Sequence, residues 1–99
     1  MKNYLTAFNK AFESRVRLGI MSILLVNDAM DFGMLKDTLD ITDGNLASHL
    51  SALDKHGYIQ ITKQFIGKKP NTSYQVTDLG KKAFSDHLDA LEQLISRSN

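Results

Sequence analysis

The chain has 99 residues, 42% of them hydrophobic, with 12 Lys and Arg against 11 Asp and Glu and no cysteine. That length supports one domain around one core and leaves no room for a separate catalytic or sensory domain. The absence of cysteine excludes disulfides, thiolate metal sites and thiol nucleophiles, and the lack of a long unbroken apolar run predicts a soluble, cytoplasmic protein with no signal peptide or membrane span.

Tyr4, Leu5, Phe8 and Phe12 recur at helical spacing, which predicts a short amphipathic helix at the N-terminus. From Ser14, a favourable N-cap residue, SRVRLGIMSILLVND is apolar nearly all round through Val16, Ile20, Ile23, Leu24 and Leu25. That pattern belongs to a helix buried in the centre of a domain, and Asn27 and Asp28 are expected to end it. Met30 to Phe32 reads as a brief extended link, after which Phe32, Leu35 and Leu39 place a second core helix over about Asp31 to Leu39.

Thr42 restarts the helix: its hydroxyl is placed to accept a backbone N–H at Asn45 or its neighbour, while Asp43 suits the positive end of the helix dipole. Leu46, Leu50 and Leu53 form the buried stripe of this third helix. Opposite them, at about 100° per residue, lie Gly44, Ser48, Ser51 and Lys55, with Asn45 and Ala52 beside them and His49 at the border. Gly57 is the expected helix stop, and Ile59, Ile61 and Phe65 share one side of a strand over Tyr58 to Phe65. IGKKPNT reads as a loop longer than a tight turn that should project as an arm, with Tyr74 and Val76 on the return strand.

Thr77 is placed to cap a final helix in which Phe84, Leu88, Leu91 and Ile95 repeat at 4, 3, 4 spacing. With Leu5, Phe8 and Phe12, that stripe exceeds what so small a core can cover. The chain is therefore expected to be a single domain over 1–99, with a core at 14–77 and dimerisation helices at 1–13 and 78–99 that make it a homodimer.

Charge is unevenly spread. Residues 28–54 carry Lys36 against six aspartates, whereas residues 55–82 carry six lysines, Lys55, Lys63, Lys68, Lys69, Lys81 and Lys82, against Asp78 alone. A local basic segment attracts phosphates even on a nearly neutral chain, because exposed charges act over roughly 8 to 10 Å.

Three core helices followed by a two-stranded hairpin give a mainly α, α+β chain, and its motifs resemble a known family. RVRLGIMSILL in the first core helix, DGNLASHLSALDKHGYIQI through the third and GKKPNTSYQVTDLGKKAF across the hairpin make the run from Ser14 to Phe84 similar to small winged helix-turn-helix transcriptional regulators of the MarR and ArsR type. The resemblance implies a homodimer on double-stranded DNA, with the third helix in the major groove and the wing on backbone or minor groove. The residue chemistry agrees independently: Gly44 allows close approach, Asn45 can pair bidentately with adenine, Ser48, His49 and Ser51 can each make single bonds, and Lys55, Lys63, Lys68 and Lys69 can hold phosphates. Arg15 and Arg17 either reach phosphates or form structural ion pairs.

Other classes fare worse. No Gly-rich phosphate loop and no recognisable pairing of nucleophile and base point to an enzyme. His49, His56 and His87 are too scattered for a zinc site, and metal sensors of the ArsR type generally use cysteines, so neither a metal nor a cofactor is expected. A winged helix that binds protein through its final helix is the alternative. Control is expected either from a small-molecule effector of unknown identity at the dimer interface near Met21, Met30 or Met34, or from protein abundance alone.

Overall fold

Ser14, in extended conformation, accepts a hydrogen bond from the Arg17 N–H at 3.3 Å and starts α1, Arg15–Leu25. The computed structural model describes residues 4–97 of the chain, so residues 1–3 and 98–99 of the expected dimerisation segments lie outside it. Ile20, Met21 and Leu24 of α1 are buried, and where the helix stops the Ile23 carbonyl accepts both from the Val26 N–H and from the Asn27 side-chain amide. Gly19 lets α2 approach, since a Cβ there would lie 2.8 Å from the Leu39 side chain.

Asp31 caps α2, Phe32–Leu39, by accepting from the Met34 N–H at 2.8 Å. The helix ends on Asp40, whose φ of 53° is left-handed and whose N–H donates to the Lys36 carbonyl. Aspartate tolerates that conformation better than most residues with a side chain. Two residues later Thr42 accepts from the Asn45 N–H at 3.2 Å and α3, Asp43–Lys55, begins. Its stripe of Leu46, Leu50 and Leu53 is buried as expected. At its far end Gly57, with φ 76°, donates to Asp54 and Tyr58 donates to Leu53, the paired bonds of a Schellman ending that only a residue at ease with positive φ can make cheaply.

The hairpin departs from expectation in two ways. Strand β2 runs Ile59–Ile66 and β3 runs Lys69–Val76, paired in full register from Ile59↔Val76 to Ile66↔Lys69. The connection is therefore a tight turn at Gly67 and Lys68, not a long loop, with Gly67 at φ 66° in the first central position, where a type II′ turn takes glycine. Pro70 lies within β3 where β2 flanks only one side, a place at which a sheet tolerates a residue without an N–H. The second departure is that the sheet has three strands. The link Met30–Asp31 forms β1 and pairs antiparallel with β3, Met30↔Tyr74 and Asp31↔Ser73, giving the order β1-β3-β2. Backbone groups of an extended link need partners, and the free edge of β3 supplies them.

The final helix, α4, spans Asp78–Arg97. Thr77 joins three elements: its hydroxyl accepts from the Gly80 N–H, donates to the Gly57 carbonyl at 2.6 Å, and its own N–H donates to Tyr58. Gly80 is buried, and a Cβ there would overlap the Tyr58 carbonyl, so α4 can start this close to the α3–β2 corner only with glycine.

The N-terminal segment is not an amphipathic α-helix. It forms two 3-10 turns, Tyr4–Ala7 and Lys10–Phe12, separated by an extended Asn9. The Asn9 carboxamide oxygen accepts from the Ala11 N–H, the local competition by which asparagine interrupts helices. Its backbone N–H donates to Nδ1 of His87 on α4 and its side-chain amide to the Tyr58 hydroxyl, both at 3.0 Å. These bonds tuck Ala11 and Phe12 into the core, Phe12 edge-on to Phe84 with ring centroids 5.2 Å apart. Two residues expected at a dimer interface, Phe12 and Phe84, are thus core residues of the protomer, and the core draws on both flanks of 14–77. Phe8 is half-buried against His87.

Candidate nucleic-acid interface

The outward face of α3 carries Gly44, Asn45, Ser48, Ser51 and Lys55, all exposed, while the opposite face is locked by its leucines and both helix ends are capped. A Cβ on Gly44 would meet nothing within 4 Å, so no contact inside the protein requires glycine there. The helix thus presents a polar, low-relief surface on a rigid support, which suits a site that must read a partner in fixed register.

His49 differs from its neighbours. Half-buried, its Nδ1 accepts from Nε of Arg17 at 3.0 Å, and Arg17 also donates to the Ala11 carbonyl. Arg17 therefore ties α3 to α1 and the N-terminal segment through hydrogen bonds, and no ion pair among the described residues engages it. Burial, and then the adjacent Arg17 charge, hold the His49 imidazole below its ordinary pKa of 6.5. Only its Nε2 edge remains for a partner. Arg15 is exposed at the start of α1.

Asp43, the acidic residue in the first turn of α3, has two roles. It sits at the positive end of the helix and accepts from Nζ of Lys36 on α2 at 2.8 Å, an exposed pair that sequence spacing did not reveal because its partners lie on different helices. The same contact, with the nearby Asp43 charge, raises the Lys36 pKa. Lys36 offsets the Asp43 carboxylate, which would otherwise repel an anion at the head of α3.

On the hairpin, Lys63, Lys68 and Lys69 are exposed, and no ion pair among the described residues engages them or Lys55. Lys82, by contrast, is paired with Asp86 one turn along α4. The α3 face and the wing lysines share no hydrogen bond among the described residues. They are coupled instead by the Gly57 corner and by the packing of α3 on β2. Phe65 shares the sheet face of Ile59 and Ile61 but lies beyond the core, 73% exposed.

The three histidines do separate work: His49 takes the Arg17 bond, His56 stacks on Tyr58 and His87 takes the Asn9 bond. Among the described residues no group of three or more His, Asp or Glu could hold a metal ion, and no helix is long and apolar enough to cross a membrane. Of the methionines expected near an effector, Met21 and Met30 are buried in the core and Met34 is half-exposed. An open cleft of about 490 Å³ lies elsewhere, between the N-terminal segment and α4, lined by Phe8, Asn9, Tyr58, Leu79 and His87.

Comparison with known proteins gives a consistent result. Residues 16–95 match a family described as a winged helix DNA-binding domain. An uncharacterized protein of Methanocaldococcus jannaschii is 34% identical over 85 residues, covering 86% of this chain and 92% of its own. A transcriptional regulator homologue of Pyrococcus horikoshii superposes with a TM-score of 0.77 at 30% identity, covering 97% of both chains. The fold is also shared with the YusO protein of Bacillus subtilis, with a TM-score of 0.80 at 14% identity over 96% of this chain and 67% of the other.

Proposed function

This chain belongs to the winged helix DNA-binding domain family, and we propose that it is a sequence-specific regulator of transcription that binds double-stranded DNA as a homodimer in the cytoplasm. The family is one of DNA-binding domains, not of enzymes. The observation that carries the reading is the outward face of α3: polar, flat at Gly44, with Lys55 in no ion pair among the described residues, and backed by three buried leucines. In the major groove Asn45 makes a bidentate pair with adenine, Ser48 and Ser51 make single bonds to bases or phosphates, and Gly44 admits the DNA to the helix backbone. His49 contributes its outer edge, while Lys55, Lys63, Lys68 and Lys69 neutralise phosphates.

Dimerisation follows from what the protomer leaves uncovered. Leu88, Leu91 and Ile95 on α4 are 46%, 43% and 57% exposed, and Leu5 is 66% exposed. The radius of gyration is 15.2 Å, against about 13 Å for a compact domain of 100 residues. A second copy laid along the distal half of α4 covers the apolar face. A two-fold dimer then reads a palindrome with half-sites about one helical turn apart.

The test is selection of bound duplexes from a random pool, followed by affinities on selected and scrambled DNA. Asn45→Ala costs on the order of 1 to 3 kcal/mol on the selected site and relaxes preference at one base pair per half-site. If Asn45→Ala and Ser48→Ala leave affinity and preference unchanged in folded protein, α3 does not read bases. The second reading, a protein-binding module docked through the exposed α4 stripe, then takes its place.

A further inference from the structure

The tip of the wing is apolar as well as basic. Phe65 and Ile66 are 73% and 62% exposed, among the larger exposures of any big apolar residue in the described chain. Strand alternation and register put Phe65 with its partner Pro70 on one face of the hairpin and Ile66 on the other. Around them stand Lys63, Lys68 and Lys69, and the sequence from Lys55 to Thr77 contains no acidic residue. The hairpin extends past Ile61 and Tyr74, the outermost pair packed in the core, by five further residues of β2, roughly 17 Å at about 3.3 Å per residue.

From these observations we infer that the wing tip is a hydrophobic wedge that enters the minor groove of duplex DNA and bends it. The inference rests on the reading of α3 as the major-groove element. Lysines on an acid-free hairpin fit a polyanion. A tip that is apolar on both faces fits an occupant with two walls, whereas a flat protein or membrane surface would cover one face only. With α3 in a major groove about 12 Å wide, an arm of roughly 17 Å is long enough to pass the groove edge to the neighbouring minor groove. That groove is about 6 Å wide, and a hairpin with side chains on both faces is about 10 Å thick. Entry therefore opens the groove, and Phe65 and Ile66 lie against the exposed sugars and base step while the lysines hold the flanking phosphates. Bending toward the major groove is the expected result of such insertion.

The experiment compares the full chain with two double variants on one selected duplex, labelled at both ends so that energy transfer reports bending. Affinity is measured across a salt series, and mass in solution is measured by light scattering. Both variants change exposed residues, and a thermal melt confirms that they fold. Phe65→Ser with Ile66→Ser should weaken binding about tenfold at every salt concentration and straighten the DNA, with the salt slope intact, because buried apolar area and not counterion release is lost. Lys68→Ala with Lys69→Ala should flatten the slope by about 0.9 for each phosphate contact removed.

An apolar variant that binds and bends DNA like the parent overturns the wedge and leaves the regulator reading standing. So does a parent complex in which the DNA is straight. A variant whose mass falls while its DNA affinity holds makes the tip a contact between copies of this chain. If the parent binds no duplex at low salt, the regulator reading itself falls, and the wedge with it.

Discussion

Replacing Gly44 by alanine should move stability and binding in opposite directions. Gly44 is the second residue of α3, exposed, with helical φ and nothing within 4 Å of where its Cβ would lie. The methyl group therefore meets no clash inside the protein, while the unfolded chain loses conformational freedom and the helix gains intrinsic propensity. Such changes are worth roughly 0.4 to 1 kcal/mol, and first-turn placement puts the expectation near 0.5 kcal/mol, or a rise in Tm of about 2 to 4 °C for a domain of this size. If α3 lies in the major groove with its first turn toward the bases, the same methyl occupies the closest approach, and an overpacked contact costs about 1 to 3 kcal/mol. The assay is a thermal melt of the free protein beside an affinity measurement on the selected duplex. A variant that melts higher and binds at least about fivefold more weakly fits the reasoning. One that melts higher and binds equally well refutes the close approach, and one that melts lower refutes the claim that no internal contact needs this glycine.

Further expectations test other parts of the structure. Leu88→Glu with Leu91→Glu should yield a folded monomer by light scattering that has lost most of its affinity for a two-half-site duplex; an unchanged mass would show that α4 does not join the copies. Gly80→Ala should cost about 3 kcal/mol and lower Tm by more than about 10 °C, because the obstacle is the Tyr58 carbonyl and not a side-chain end that can rotate away. His49 should titrate below 6.5 in an NMR pH series, and Arg17→Met should recover part of that depression, since burial is the larger cause and the Arg17 charge the lesser. The stability consequence has a definite sign: with the folded imidazole harder to protonate than the unfolded one, the contribution of His49 is complete above pH 6.5 and is lost as pH falls below it. A melting temperature that rises between pH 6.5 and 5.5 on account of His49, judged against His49→Gln, would contradict this.

Features under local physical control are readable along the chain. Ser14, Asp31, Thr42 and Thr77 each bond an N–H three residues ahead, so each helix start is written within one turn of chain. The same holds for the leucine stripe of α3, which leaves its polar face outward by geometry alone, and for Gly57 as a helix stop. Fold class and the α3 face were legible for that reason. Other features depend on partners far apart in the chain. The N-terminal segment has helical spacing, yet Asn9 breaks it because its groups find His87, 78 positions away, and Tyr58, 49 away. The link Met30–Asp31 became a strand because the β3 edge lay open beside it, and the lysine-rich stretch became two strands and a tight turn because pairing continued to Ile66↔Lys69. Arg17 found a use in His49, on another helix. Phe84 and Leu88 belong to one apolar period on α4, but Phe12 covers the first while the second stays half-exposed. Periodicity shows that a face is apolar; which neighbour covers it depends on how the rest of the chain packs.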